Sequence, residues 1–379
     1  MRRRQLLTTG LSLGGATLLP GRVSHLSVER VRPPESSNRR VGLSADDGPS
    51  YGDWIPDENH DDPDTGVFFT HADWEQISAL GEDENPADEE RVVAELFERV
   101  PIVGLPLFGG SISLLAPFWM LSFPFSADVL PDGDGAVDGI ETTSVTWTID
   151  TIVFHGAFEP DVFATEYAGD FEIVGERNEF VVYEGTDEFT EGLSYAVSPE
   201  TLLVGFQRED AADPAHSTEY VGADVVDRAL EEYDAETGRM IDEDAGEWLF
   251  DSTGGAQMAF GGWQIEDLRE ALEPEDATAG DGGGPTAQID LDDHPIFAPV
   301  ESLVNTIRFD VEAETMGAVE ARFSGLYPDD AVPDVAEIET HLIGDASAPH
   351  EIVIDDDRVH ARAAFDDIDP DQLRSVARR

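Results

Sequence analysis

Two histidines stand where side chains could do acid–base or metal chemistry. His71 and His155 each follow a short apolar run that predicts a β-strand, and connections beside strands often present functional side chains. Two imidazoles within about 4 Å of a shared group could bind a metal ion or transfer a proton. The alternative is that both are strand-end residues that hydrogen-bond nearby backbone. Both interpretations stay open at this point.

No established catalytic motif accompanies these histidines. The sequence has no G-x-S-x-G elbow, no Walker loop, no G-x-G-x-x-G after a strand and no H-E-x-x-H. Cysteine is absent, which excludes disulfides, thiolate nucleophiles and cysteine-ligated metals. We therefore assign no catalytic residue, no metal site and no cofactor. A hydrolase-type enzyme with an unrecognised site of histidine and carboxylates remains an alternative.

The charge of the chain is extreme. There are 82 Asp and Glu against 22 basic residues, all of them arginine, and the formal net charge is -60. Such a surface repels nucleic acid, which we exclude as a partner. It also destabilises the folded state by self-repulsion, unless salt reduces the screening length to about 3 Å at 1 M. We expect the cations of a concentrated brine to be the partners of the acidic surface.

The composition resembles that of proteins from halophilic archaea, and the N-terminus resembles a twin-arginine export signal. Arg3 and Arg4 match the paired arginines, and Leu6 and Leu7 match the apolar pair behind them. The resemblance implies an exported protein, extracytoplasmic or at the cell surface, and no particular activity. Because no clear small-x-small site follows Leu19, cleavage of the leader stays open.

Composition also predicts the domain organisation. We predict an export signal over residues 1–21 and a flexible linker over residues 22–52, because eight of the 22 arginines lie in the first 40 residues. An α+β domain then covers residues 53–272. A linker of glycine and acidic residues over 273–292 separates it from a smaller α+β domain over 293–379.

The predicted fold class is α+β, with antiparallel sheets that have helices on one face. One strand alternates clearly: Ile307 and Phe309 point to one side, and Arg308 points to the side that should face water. Residues 152–185 and 321–365 both follow the order strand, helix, strand, strand, which predicts duplicated β-α-β-β modules. A chance similarity between two acidic segments is the alternative.

Residues 100–127 form a long uncharged stretch with three interpretations. About 20 apolar residues can span a membrane, although prolines interrupt helices. The prolines here are Pro101, Pro106, Pro117 and Pro124. The stretch could instead be a buried connector, or an exposed loop that docks on a membrane surface or a protein partner. The docking surface would then consist of Phe118, Trp119, Met120 and Phe123.

These observations favour one class of function. The leading hypothesis is an exported, extracytoplasmic protein of a halophile with a binding or surface-structural role. A membrane-associated accessory protein that docks through residues 100–127 is an alternative, as is the hydrolase-type enzyme.

Overall fold

A computed structural model describes a large part of the chain. The described residues are 49–58, 66–78, 100–119, 123, 125–126, 128–129, 137–148, 150–167, 169, 171–186, 190–205, 222–265, 268, 294–309, 319–344 and 349–365. They form one antiparallel sheet of 12 strands together with helices, so the α+β fold class is confirmed. The leader residues Arg3, Arg4, Leu6 and Leu7 lie outside this part.

The strands pair with neighbours that are often distant in sequence. In chain order they are β1 (Val67–Asp73), β2 (Ile140–Trp147), β3 (Thr151–Phe158), β4 (Phe171–Arg177), β5 (Phe180–Gly185), β6 (Ser194–Val197), β7 (Thr201–Gly205), β8 (Met258–Trp263), β9 (Ser302–Phe309), β10 (Val319–Leu326), β11 (His350–Asp355) and β12 (Arg358–Phe365). Their order across the sheet is β11-β12-β10-β9-β8-β1-β2-β3-β7-β6-β5-β4.

Helices cover both faces of this sheet, whereas the sequence predicted helices on one face only. They are α1 (Trp74–Ser78), α2 (Pro101–Trp119), α3 (Pro160–Glu166), α4 (Gly222–Ala235), α5 (Asp244–Thr253), α6 (Val335–Ile338), the 3₁₀ helices Ser50–Trp54 and Met240–Asp242, and the π-helix Glu339–Ile343. We call the face that packs on α1, α2, α3 and α6 the upper face. The lower face packs on α4, α5 and the 3₁₀ helix Ser50–Trp54.

The apolar residues of the strands alternate between these two faces. On β3, Ile152 and Phe154 belong to the large upper core, whereas Val153 belongs to a lower cluster with Val226 and Leu230 of α4. Both faces are therefore apolar over most strands, and such strands need a helix layer on each side. The exception is a polar region of the lower face around β1, β2 and β9.

The expected division into two domains is corrected by the pairing of β8. This strand pairs with β1 on one side and with β9 on the other, so strands from 53–272 and from 293–379 form one sheet. Residues 273–292 themselves lie outside the described part. The linker expected over 22–52 also ends earlier, because Ser50–Trp54 is helical and Tyr51 is buried at 2% exposure.

The predicted β-α-β-β order occurs in both segments, but the strand pairing differs. The first segment is β3-α3-β4-β5, and the second is β10-α6-β11-β12. In the second, β10 pairs directly with β12. In the first, the hairpin β6–β7 lies between β3 and β5. The two segments thus share their element order and the hairpins β4–β5 and β11–β12, with one hairpin inserted.

The uncharged stretch begins as the helix α2 on the upper face. Pro101 is its first residue, where proline is tolerated because the N–H there has no helical partner. Residues 100–107 are all buried, as expected of a helix that is apolar on every side. This burial corrects the expectation of an exposed loop for that part. Within the described ranges, no helix has the length and apolarity needed to cross a membrane.

Two glycines bring α2 close to the strand β8. A Cβ atom on Gly109 would lie 2.9 Å from the Cβ of Phe260, and one on Gly110 would lie 2.6 Å from the Sδ of Met258. One turn later, the hydroxyl oxygens of Ser113 and Thr70 are 2.5 Å apart. The absence of side chains at both glycines therefore sets the distance between this helix and the sheet.

Replacing Gly109 tests this packing. We expect Gly109→Val to lower the free energy of unfolding by about 1–3 kcal/mol, because a side chain there overpacks the interface with β8. The measurement is urea unfolding in concentrated KCl. Gly175→Val on β4 is the matched control, since a Cβ there meets no atom within 4 Å. Equal losses in the two variants would contradict the account.

Candidate functional site

The structure places both predicted histidines on the lower face, on either side of β2. His71 on β1 lies opposite Thr146 of β2, and His155 on β3 lies opposite Ser144 of β2. Directly opposed residues of antiparallel strands point to the same face, as do Ser144 and Thr146, two residues apart. The two histidines therefore lie on the same face of the sheet with one strand between them, their backbones about 10 Å apart, and neither is at the end of its strand.

His71 is held in a buried and largely apolar setting. Its side chain is 5% exposed, and Nδ1 lies 3.0 Å from the Oγ1 of Thr146. The ring of Tyr51 stacks on the imidazole, with centroids 4.4 Å apart and planes at 24°. Burial, together with the nearness of His155, lowers the pKa of His71 to about 3. The imidazole is therefore neutral at neutral pH.

His155 is only half-buried, but its Nε2 atom is inaccessible and has no hydrogen-bond partner within the described residues. Burial lowers the pKa of His155 to about 4. Among the described residues, neither histidine contacts a carboxylate, and no group of three metal-binding side chains is placed to hold an ion. The described part thus brings the two imidazoles together without the acid that a proton relay would need.

A polar region of the lower face continues beyond the histidines. His71 lies opposite Ala259 of β8, which lies opposite Thr306 of β9. Thr306 in turn lies opposite Arg322 of β10, and Arg322 lies opposite Arg362 of β12. One rung away, Arg308 of β9 lies opposite Glu320 of β10. We call the following set the polar patch: His71, Ser144, Thr146, His155, Thr306, Arg308, Glu320, Arg322 and Arg362.

The arginines of the polar patch hold the end of α5. Arg308 donates from Nε to the carbonyl of Gly255, and Arg322 donates from Nη1 to the carbonyl of Thr253 at 3.2 Å. Carbonyls at the end of a helix lack helical partners and are the negative pole of its dipole. These two cations therefore stabilise the C-terminus of α5 against the sheet.

Glu320 is the acidic centre of the polar patch. Its Oε1 accepts from the Nε of Arg322 at 2.8 Å, and its Oε2 accepts from Arg362. Burial alone would raise the pKa of Glu320, but Arg322 and Arg362 outweigh it and the pKa is lowered. Together with Glu351, which lies opposite Arg362, the described residues of this row provide three cations and two carboxylates. In a chain of charge -60, this local excess of positive charge is unusual.

Next to the polar patch is a small surface pocket between α4 and the first 3₁₀ helix. Two ion pairs lie at its wall: Arg228 with Asp150 at 2.6 Å and Arg239 with Asp53 at 3.1 Å. Asp53 belongs to the same 3₁₀ helix as Tyr51, which stacks on His71. The pocket and the polar patch thus share one short element.

The predicted docking residues divide into two groups. Phe123 is 3% exposed and packs on Phe125 and Phe171, with ring centroids 5.5 and 5.8 Å away. It is a core residue, which corrects its place on an exposed surface. The backbone of Phe118 and Trp119 belongs to α2, but their side chains and all of Met120 lie outside the described part.

Sequence reasoning found the histidines and missed the arginines. The alternation of β9 predicted Arg308 on a face towards water, whereas that face is partly covered by α5. One signal was available in the sequence: Arg308, Arg322 and Arg362 lie within predicted strands, in a chain whose basic residues are few and all arginine. Comparison with protein-family models, with curated proteins and with solved structures finds no match, so the function is argued from geometry.

The buried histidines predict an acid-labile fold. Both pKa values fall in the folded state, from the 6.5 expected when unfolded, so the unfolded chain binds more protons between about pH 6.5 and pH 4. Folding stability should therefore decrease as pH falls through this window, by about 1.4 kcal/mol per pH unit for each histidine. The measurement is urea unfolding as a function of pH in concentrated KCl.

The variants His71→Gln and His155→Gln separate this effect from the titration of carboxylates. Each variant should reduce the slope of folding stability against pH by the contribution of the histidine it removes, while the contribution of the carboxylates stays. His350→Gln is the control, because His350 lies on the surface beside Glu339. An unchanged slope in both test variants would show that neither buried imidazole controls the acid sensitivity.

Proposed function

We propose that the protein is an exported, extracytoplasmic binding protein of a halophile, with the polar patch as its ligand site. The resemblance of the N-terminus to a twin-arginine signal, the acidic charge and the lack of catalytic motifs in the sequence support an extracytoplasmic binding role. The pKa values of about 3 and about 4 make both imidazoles weak bases at neutral pH, and no described hydrogen bond joins either of them to a carboxylate. Both observations support binding over acid–base catalysis.

The observation that carries the proposal is the polar patch itself. Most strands of the sheet are apolar on both faces, and buried polar groups are costly unless they are hydrogen-bonded. Three arginines, two histidines and several hydroxyls nevertheless share the lower face, in a row that crosses seven neighbouring strands from β3 to β12. A ligand with several polar groups would satisfy the groups among them that lack a described partner, such as the Nη atoms of Arg308 and the Nε2 of His155, as in binding sites where a few polar groups fix the orientation of a ligand.

Docking through residues 100–127 is less well supported. Residues 100–107 and Phe123 are buried in the upper core, and a buried segment cannot present an apolar surface to a membrane or a protein partner. The polar patch lies on the opposite face of the sheet, where α5 and the 3₁₀ helix Ser50–Trp54 leave polar side chains partly accessible.

A ligand screen by thermal unfolding in concentrated KCl tests the proposal. A ligand present at about 100 times its Kd adds about 2.7 kcal/mol of stability to the folded state. We expect a polar small molecule to raise the Tm of the wild type and to raise that of Arg322→Gln much less, each relative to its own unliganded Tm. Arg177→Gln is the control, because Arg177 pairs on the surface with Asp227 and Glu231.

Two results of this screen would contradict the proposal. One is that no small molecule stabilises the wild type. The other is that a ligand stabilises Arg322→Gln as much as the wild type, since its site would then lie elsewhere.

Export is tested by changing the paired arginines. We expect the double variant Arg3→Lys, Arg4→Lys to remain inside the cell, because the signal resembles one in which that pair is the recognised feature. Cell fractionation with an antibody to the folded part measures this. Arg2→Lys is the matched control and should be exported like the wild type. Normal export of the double variant would remove the support for this route.

A further inference from the structure

The guanidinium of Arg308 has hydrogen-bonding capacity to spare. Its Nε donates to the carbonyl of Gly255, but neither of its Nη atoms donates to any other described residue. Glu320, the nearest carboxylate on the facing strand, already accepts from Arg322 and Arg362. A half-buried arginine therefore presents the forked end of its side chain without an anionic partner of its own.

The hydroxyl of Tyr51 is a second group without a partner. Tyr51 is 2% exposed, and its Oη is inaccessible and makes no hydrogen bond within the described part of the chain. The ring is fixed by stacking on His71 and by contacts with Phe69 and Phe250, whose centroids are 6.1 and 5.9 Å away. The hydroxyl is therefore held in one position.

Arg308 and Tyr51 both lie beside the C-terminal part of α5, because the ring of Tyr51 contacts that of Phe250 and Arg308 donates to the carbonyl of Gly255. Burial raises the pKa of Tyr51, and the positive charge of Arg308 acts against that rise. The phenol thus stays protonated and can donate a hydrogen bond. The neighbouring His71 is neutral and bonded to Thr146, so it adds no charge that would compete for the guanidinium.

Two free Nη groups and one hydroxyl donor match one kind of ligand group. The forked guanidinium binds two oxygens of a carboxylate or phosphate in parallel, and a hydroxyl can donate to one of those oxygens. We propose that Arg308 and Tyr51 bind an oxyanion, a carboxylate or a phosphate, of the ligand in the polar patch. This inference rests on the proposed function, because it names the ligand class for the same site.

The charge of the molecule makes such a site selective. A chain of charge -60 repels anions in general, so an anion stays bound only where cations are concentrated. Burial lowers the pKa of Arg308, and repulsion by the nearby charge of Arg322 lowers it further. A bound oxyanion would relieve that repulsion.

The test is calorimetric titration of the folded protein with inorganic phosphate and, separately, with succinate, in KCl of constant concentration. We expect one of the two anions to bind the wild type. Arg308→Gln should bind it at least about tenfold more weakly, since a charge-assisted pair is lost, and Tyr51→Phe several-fold more weakly. Arg177→Gln should bind like the wild type. The anion that binds identifies carboxylate or phosphate as the group.

The outcomes separate the inference from the proposed function. Wild-type binding that neither Arg308→Gln nor Tyr51→Phe weakens would overturn the inference. If neither anion binds, while a neutral ligand from the thermal screen depends on Arg322, the inference fails and the proposed function stands. If no compound of any class binds, both fail. Should Arg308→Gln not fold, Tyr51→Phe decides, because it removes only the hydroxyl and keeps the ring stack.

Discussion

The pairing of β8 with β1 and β9 is the contact on which the rest of the fold depends. It joins strands that lie on both sides of a long acidic and glycine-rich segment into one sheet. Small residues make this position possible: a Cβ on Gly261 would lie 2.1 Å from the ring of Phe69, and α2 approaches from above through Gly109. The same pairing brings His71 and Thr306 into one cross-strand row. Without β8 at the centre, the polar patch would not exist.

Charge distribution explains how an acidic chain can have such a site. The many carboxylates repel one another, so the folded state is stable only when salt screens that repulsion. Three of the arginines in the described part lie instead at the lower face, where Arg308 and Arg322 also hold the end of α5. The same cations therefore stabilise the fold and create the local positive potential. Removing one of them affects both, so each binding experiment needs a variant such as Tyr51→Phe that leaves the charges in place.

The sequence could predict what depends on local patterns. Alternation indicated β9, the fold class followed from the predicted strands and the helices between them, and apolar runs led to His71 and His155. It could not predict that β8 joins the two halves, because strand pairing across a long segment leaves no local signal. For residues 100–127 it left a membrane span, a buried connector and an exposed loop open, and the burial of residues 100–107 and of Phe123 agrees with the second of these. It did not predict a helix there, because the stretch contains four prolines; Pro101 takes the first position, where proline is tolerated, but Pro106 and Pro117 lie inside the helix. For Arg308, alternation gave the correct side of the strand but not the helix that lies over it.

The central claim, that Arg308 and Tyr51 form an oxyanion site on the lower face, is tested most directly by a crystal structure. Crystals grown from KCl brine and soaked with selenate would locate an oxyanion by the anomalous signal of selenium. The account predicts a selenium peak placed so that selenate oxygens lie within hydrogen-bond distance of the Nη atoms of Arg308 and the Oη of Tyr51. Ordered selenate found only at other positions, with that space empty or filled by a side chain, would contradict it.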